Sequence, residues 1–246
     1  MSFKTNVCFV CALTCALTVF AQSRSRRGSS ASAREAAQEK MDAKVMISQM
    51  PNIGPQSLLV APNLQAQGGS QPITKSRRQW GVYEMTYRTA QKWTEDLTVS
   101  WHVLSDTSKA KQKDKSKSAA RLPPYVYYNL VSRYVNIPDG DHRSCVCLPP
   151  SFVERYGEPV VISCEIVTSE GKLLAGETAL SSAPKGFVAG KFTEEDKEKA
   201  EWWNDDKIIN AKDKKGEALI EIRQGLVDRS KSPFYLVNNA DYEAIQ

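Results

Sequence analysis

Residues 80–104, WGVYEMTYRTAQKWTEDLTVSWHVL, decide the fold. In the second half of this stretch Trp93, Leu97, Val99, Trp101 and Val103 fall on one side of an extended chain. Thr94, Asp96, Thr98, Ser100 and His102 fall on the other. Successive side chains of a strand point to opposite faces, so this alternation marks a half-buried strand rather than a helix. The first half repeats it, with Tyr83, Met85 and Tyr87 against Glu84, Thr86 and Arg88. The two runs are expected to pair with each other and to start a sheet whose apolar side the rest of the chain covers.

Downstream, residues 125–137 (YVYYNLVSRYVNI) restart the aromatic and β-branched pattern. Pro138-Asp139-Gly140-Asp141 reads as a turn, and residues 143–148 as its return strand. Residues 151–156 form a helical turn closed by Gly157, and residues 160–168 an inner strand with Val160, Ile162, Cys164 and Ile166 on one face. Residues 173–180, 218–223 and 234–237 supply further strands. Thr193 and Asp196 resemble a capping box opening a charged helix through Trp203. About eight short strands with one or two short helices predict a mainly β protein, a β-sandwich rather than a βαβ fold, with a barrel as the alternative. This domain is expected over residues 79–246.

Upstream, residues 1–21 read as a secretory signal peptide: Lys4, an apolar run over 7–21, and Val19-Phe20-Ala21 at the cleavage point. The apolar run is short for a membrane span. Residues 22–78 form an N-terminal extension: a polar, disordered opening, a helix over 33–50 rich in Ala, Glu, Gln, Lys and Met, and an extended linker. Leu58-Leu59-Val60 in that linker could dock on the domain.

A formal charge of +5, from 33 Lys and Arg against 28 Asp and Glu, is too evenly mixed to indicate a nucleic-acid partner. Lys109, Lys111, Lys113, Lys115 and Lys117 alternate with small or polar residues in a basic loop that could meet acidic glycans, anionic lipid or an acidic partner. Trp202 and Trp203 are adjacent, so a helix would aim them roughly 100° apart, one into the core and one out as a stacking platform. The lysines and these two tryptophans are the candidate binding residues.

Of the six cysteines, Cys145, Cys147 and Cys164 lie beyond the signal segment. In an exported chain, Cys145 or Cys147 bonding to Cys164 would close a loop of about 18 residues and contribute roughly 3 kcal/mol. Buried free thiols are the second reading, and a metal site with His142 the third, its spacing unlike a zinc knuckle. His102 falls on the polar strand face and His142 in the expected turn. Neither belongs to a G-x-S-x-G, H-E-x-x-H or Walker arrangement, so no catalytic residue, metal or cofactor is assigned.

The export segment, the N-terminal extension, and a β-rich domain opening W-x-V-Y-E-M-T-Y, with a second run ending L-T-V-S-W-H-V, together resemble a known family. These are the pilus-like immunoglobulin-fold proteins encoded near type IV pilus genes in verrucomicrobial gut bacteria. The resemblance spans residues 80–237. It implies an immunoglobulin-like β-sandwich at the periplasm, outer membrane or cell surface, with other envelope or pilus-assembly proteins as partners and no catalytic residues. Bacterial type IV pilins carry Glu five residues past a Gly cleavage point, ahead of a long apolar helix. Here Gly28 is followed by SSASA and the fifth residue is Ala33. The implied role is thus a non-enzymatic, pilus-associated component. The alternative is a surface module for acidic glycans.

Overall fold

The structure, a computed structural model, describes residues 45–62, 78–108, 110, 122–181 and 201–235, with backbone alone at 91–93. After β1 (Val45–Gln49) and β2 (Leu58–Val60), the chain runs as β3 (Gln79–Asp106), a strand of 28 residues, and β4 (Tyr125–Leu148), one of 24. These two are antiparallel neighbours from Asp106 opposite Tyr125 to Gly81 opposite Leu148. The pairing expected within residues 80–104 and the reversal expected at Pro138-Asp139-Gly140-Asp141 are therefore both corrected, since each lies inside one long strand. Alternation specifies which face a side chain takes but not which segment it pairs with. Gly140, with φ 125°, sits opposite Thr89 beside a bulge, where turn-type residues bend the ribbon without reversing it.

That bulge shapes the molecule. From Thr89 to Trp93 β3 advances four positions while β4 advances two, from Gly140 to Pro138. The surplus is even, so the inward face is conserved across the bend. Tyr83, Met85 and Tyr87 before it, and Leu97, Val99, Trp101 and Val103 after it, are all buried in one core. The two halves of the ribbon close on each other through these residues. Trp101 Nε1 donates to Ser144 Oγ at 3.2 Å, the Tyr134 hydroxyl lies 2.8 Å from the same oxygen, and Tyr87 packs on Tyr134 with ring centres 6.5 Å apart.

After β4 comes α1 (Pro150–Tyr156). Then β5 (Pro159–Val167) pairs with Thr98–Ser105 of β3, and β6 (Leu173–Leu180) pairs with β5. Ile162, Cys164 and Ile166 of β5 join the core, as their spacing predicts, whereas Val160, expected on the same face, packs against the cluster of Leu104 and Trp202. Further on lie a 3-10 turn (Trp202–Asn204), α2 (Asp206–Ile209), β7 (Ile220–Ile222), parallel to the start of β4, and β8 (Val227–Asp228), antiparallel to its end. Among the described residues the result is a mainly β, sandwich-like fold made from one eight-stranded sheet in the order β6-β5-β3-β4-β7, with β1, β2 and β8 on its flanks.

The expected helix over 33–50 is corrected where it can be seen. Val45–Gln49 is β1, paired to Thr86–Thr89, and buries Val45 and Ile47 in the core. Helix propensity differs by only a few tenths of a kcal/mol per residue, so an available strand edge with a place for two apolar side chains outweighs it. Leu58–Val60 does dock, as β2 on Gln79–Gly81, so the sheet recruits two strands from ahead of residue 79. The signal segment and the rest of the predicted helix lie outside the described residues. So does most of the predicted helix ending at Trp203. Phe234, expected to open a last strand, sits in a turn.

Gly157 ends α1 with φ 84°, and a Cβ there would lie 2.3 Å from the Asp106 carbonyl oxygen. Neither the backbone conformation nor the contact tolerates a side chain. Gly157→Ala should therefore lower the unfolding free energy by about 3 kcal/mol, read from urea denaturation. Gly171→Ala, in an open turn with φ 79° and no atom within 4 Å, should lose visibly less.

Candidate functional site

Trp202 and Trp203 lie over the outer face of the β3–β5 half of the sheet. Trp202 is buried, its Nε1 donating to Ser163 Oγ at 2.7 Å, and Ser163 Oγ lies 2.6 Å from Thr178 Oγ1. Its ring meets Tyr127 edge-on at 5.5 Å, in a cluster with Leu104, Val161, Ile208 and Ile220. Trp203 is half-buried and stacks on His102, ring centres 3.8 Å apart and planes 4° from parallel. The pair therefore clasps a covering segment to the sheet. Trp202 offers no ring to a ligand, and one face of Trp203 is taken by the histidine.

His102 is consequently not a solvated face residue, as its place on the polar side of β3 suggests. Its Nδ1 is 2.7 Å from the Tyr127 hydroxyl, and its Nε2 is 3.7 Å from a Glu165 carboxylate oxygen, beyond hydrogen-bond reach. Burial brings the His102 pKa down to about 4. Burial, with Glu201 nearby, raises that of Glu165, and burial together with Glu165 raises Tyr127 to about 12. Each shift favours the uncharged form, and burial is the largest cause of all three. His142 is likewise inside, in strand rather than turn, with Nε2 3.0 Å from both Thr89 Oγ1 and the Pro138 carbonyl.

The three cysteines are free and buried. Cys164 faces the central core opposite Trp101. Cys145 and Cys147 point out of the other face of the ribbon, under Phe234, Trp80 and Val227. A sheet layer thus separates Cys164 from the other two, which corrects the expected disulfide. The alternation that places Cys145 and Cys147 on one face also puts His142 on the opposite one. A hydrogen bond with Cys147, together with burial, raises the Cys145 pKa well above the usual thiol value. Lys109, Lys111, Lys113, Lys115 and Lys117 lie outside the described residues.

A second cluster escapes sequence reading. β7 holds Arg223 beside β4 through the Arg223 N–H to Tyr127 carbonyl bond of 2.9 Å, which carries it alongside α1. The guanidinium carbons of Arg155 and Arg223 lie 5.3 and 5.0 Å from the centre of the buried Tyr156 ring, within cation–π range. With Ser151, Phe152 and Gln224 they line an open groove of about 300 Å³. Arg223 pairs with Glu221, while its Nε is buried with no hydrogen-bond partner among the described residues. Gly225 lets Phe152 lie beneath the chain here, since a Cβ would come within 2.7 Å of that ring. Charge, aromatic floor and neutral polar groups together suit an anionic ligand. No spacing motif links two arginines so far apart in sequence.

Two outcomes follow from the buried groups. Peptide-mapped alkylation should leave Cys145, Cys147 and Cys164 unmodified in the native protein and label all three in denaturant. Unfolded His102 titrates near the ordinary histidine value of 6.5, folded His102 near 4. Between those values the unfolded chain takes up the proton and the folded one does not. Stability contributed by neutral His102 is thus complete above pH 6.5 and falls by up to about 3 kcal/mol on going to pH 4. Glu165, shifted upward, acts in the opposite sense: its share is present at low pH and is lost as pH rises through its raised value. His102→Gln should flatten the fall between pH 6.5 and 4, measured as urea midpoints across that range.

No family model and no curated protein matches this chain. Among solved structures, the fold is similar to a crystal structure from Akkermansia muciniphila, with a TM-score of 0.51 and 15% sequence identity, covering 82% of this chain and 93% of that one. Likeness at this identity is one of fold.

Proposed function

We propose that this chain is a non-enzymatic, exported protein of the cell envelope, at the periplasm, outer membrane or cell surface, acting as a pilus-associated or pilus-like docking component. The observation that carries this reading is the sheet edge. β6 ends the strand order, and among the described residues no strand pairs with its outer side. Such a row of backbone donors and acceptors is a template for a partner's strand. The fold likeness to a protein from a verrucomicrobial gut bacterium accords with the family that residues 80–237 resemble. The neutral, covered state of His102 and the burial of the thiols suit a structural part better than a reacting one.

A second reading, a surface module for acidic glycans, draws support from the Arg155–Arg223 groove rather than from the tryptophan pair.

The test is photocrosslinking in intact cells from position 173, where Leu173 is exposed at the start of β6. Envelope or pilus-assembly proteins should be captured there, and a control crosslinker at buried Ile166 should capture nothing. Capture of cytosolic proteins alone, or substrate turnover by the purified chain, would overturn the reading.

A further inference from the structure

We infer that the groove between α1 and the end of β7 is a binding site for the carboxylate of a sugar acid, with Arg155 and Arg223 as its anion-holding pair. This rests on the acidic-glycan reading and gives it a place and a chemistry that the tryptophans and the lysine loop do not.

Two guanidinium groups held against one aromatic ring repel each other, and Glu221 offsets only one of them. Among the described residues Arg155 forms no ion pair, and no acidic side chain lines the groove. A planar anion seated in the groove that both arginines line would relieve that repulsion. Guanidinium N–H groups match the two oxygens of a carboxylate in a forked arrangement. Arg155 and Arg223 both line the groove, so their guanidinium groups stand within reach of a ligand seated there.

The remaining lining separates a sugar acid from a simple anion or an acidic side chain. Ser151 and Gln224 add a hydroxyl and an amide, which ring hydroxyls can answer, and the partly buried Phe152 offers an apolar surface to the C–H face of a pyranose. A volume of about 300 Å³ holds one such ring. An aspartate side chain would reach the arginines and leave the other three residues unused.

The experiment titrates the full chain with galacturonate, galactose, polygalacturonate and N-acetyl-aspartate amide, by calorimetry and by ¹⁵N-detected shifts, at low salt. Saturable galacturonate binding is expected, with galactose at least tenfold weaker and the aspartate amide weaker than galacturonate. Arg155→Gln and Arg223→Gln should each weaken galacturonate binding at least fivefold, and Arg223→Lys should fall between wild type and Gln. Arg223 packs on Tyr156, so thermal midpoints are recorded for every variant. Arg155, on the exposed rim, keeps the test decisive if the Arg223 variants unfold. Equal binding of galactose and galacturonate, preference for the aspartate amide, indifference to Arg155→Gln, or no binding would each overturn the assignment. Polygalacturonate bound equally well by wild type and Arg155→Gln would sink this site while leaving the acidic-glycan reading alive elsewhere on the chain.

Discussion

One constraint governs this molecule: a ribbon of two long strands can fold over on itself only if the bend keeps the same side chains inside. An odd surplus of residues at the bulge would turn either Tyr83, Met85 and Tyr87 or Leu97, Val99 and Trp101 out to solvent. The surplus between Thr89 and Trp93 is two, and the greasy side of β3 stays inward along its whole length. On β4 the matching adjustment falls near Asn136, a non-glycine residue with φ 55°, between inward Tyr134 and inward Ile137. Ser144, bonded from one layer to Trp101 and Tyr134 of the other, satisfies the indole N–H inside that closed interior.

Much of this was legible in the sequence, because facing is a local property. The alternations around Tyr83 and Trp101, the inner face of β5, the turn of helix closed by Gly157 and the mainly β sandwich-like class all survive in the structure. Pairing is not local. Two runs of period two in residues 80–104 look like two strands of a hairpin. Only the presence of β4 along the whole length shows that they are one. Val45 and Ile47 alternate as well as any strand, but an Ala-, Gln- and Met-rich setting reads as helix until an open edge at Thr86–Thr89 is supplied.

The candidate sites show the same limit more sharply. His102 stands on the polar side of its strand, as read. What hides it is Trp203, carried there by a segment that no local pattern connects to it. The alternation around Cys145, Cys147 and Cys164 gives each its strand face, but not that those faces belong to different layers. The arginine groove needed α1 and the end of β7 side by side. That depends on a parallel strand contact which periodicity cannot announce.

The β3–β4 ladder also has a direction in time. Its partners nearest in sequence, Asp106 and Tyr125, sit beside the connection between the strands, and its most distant partners, Gly81 and Leu148, sit at the opposite end. Closing short loops before long ones makes the ladder zip outward from that connection. β5 can dock as soon as Thr98–Ser105 is formed. β1 and β2 bind beyond the kink, so this order would secure them last although they come first in the chain. On that order the chain would pass through an interval in which its interior is half-built and its leading strands are still unclaimed, open to whatever escort or neighbour meets it there.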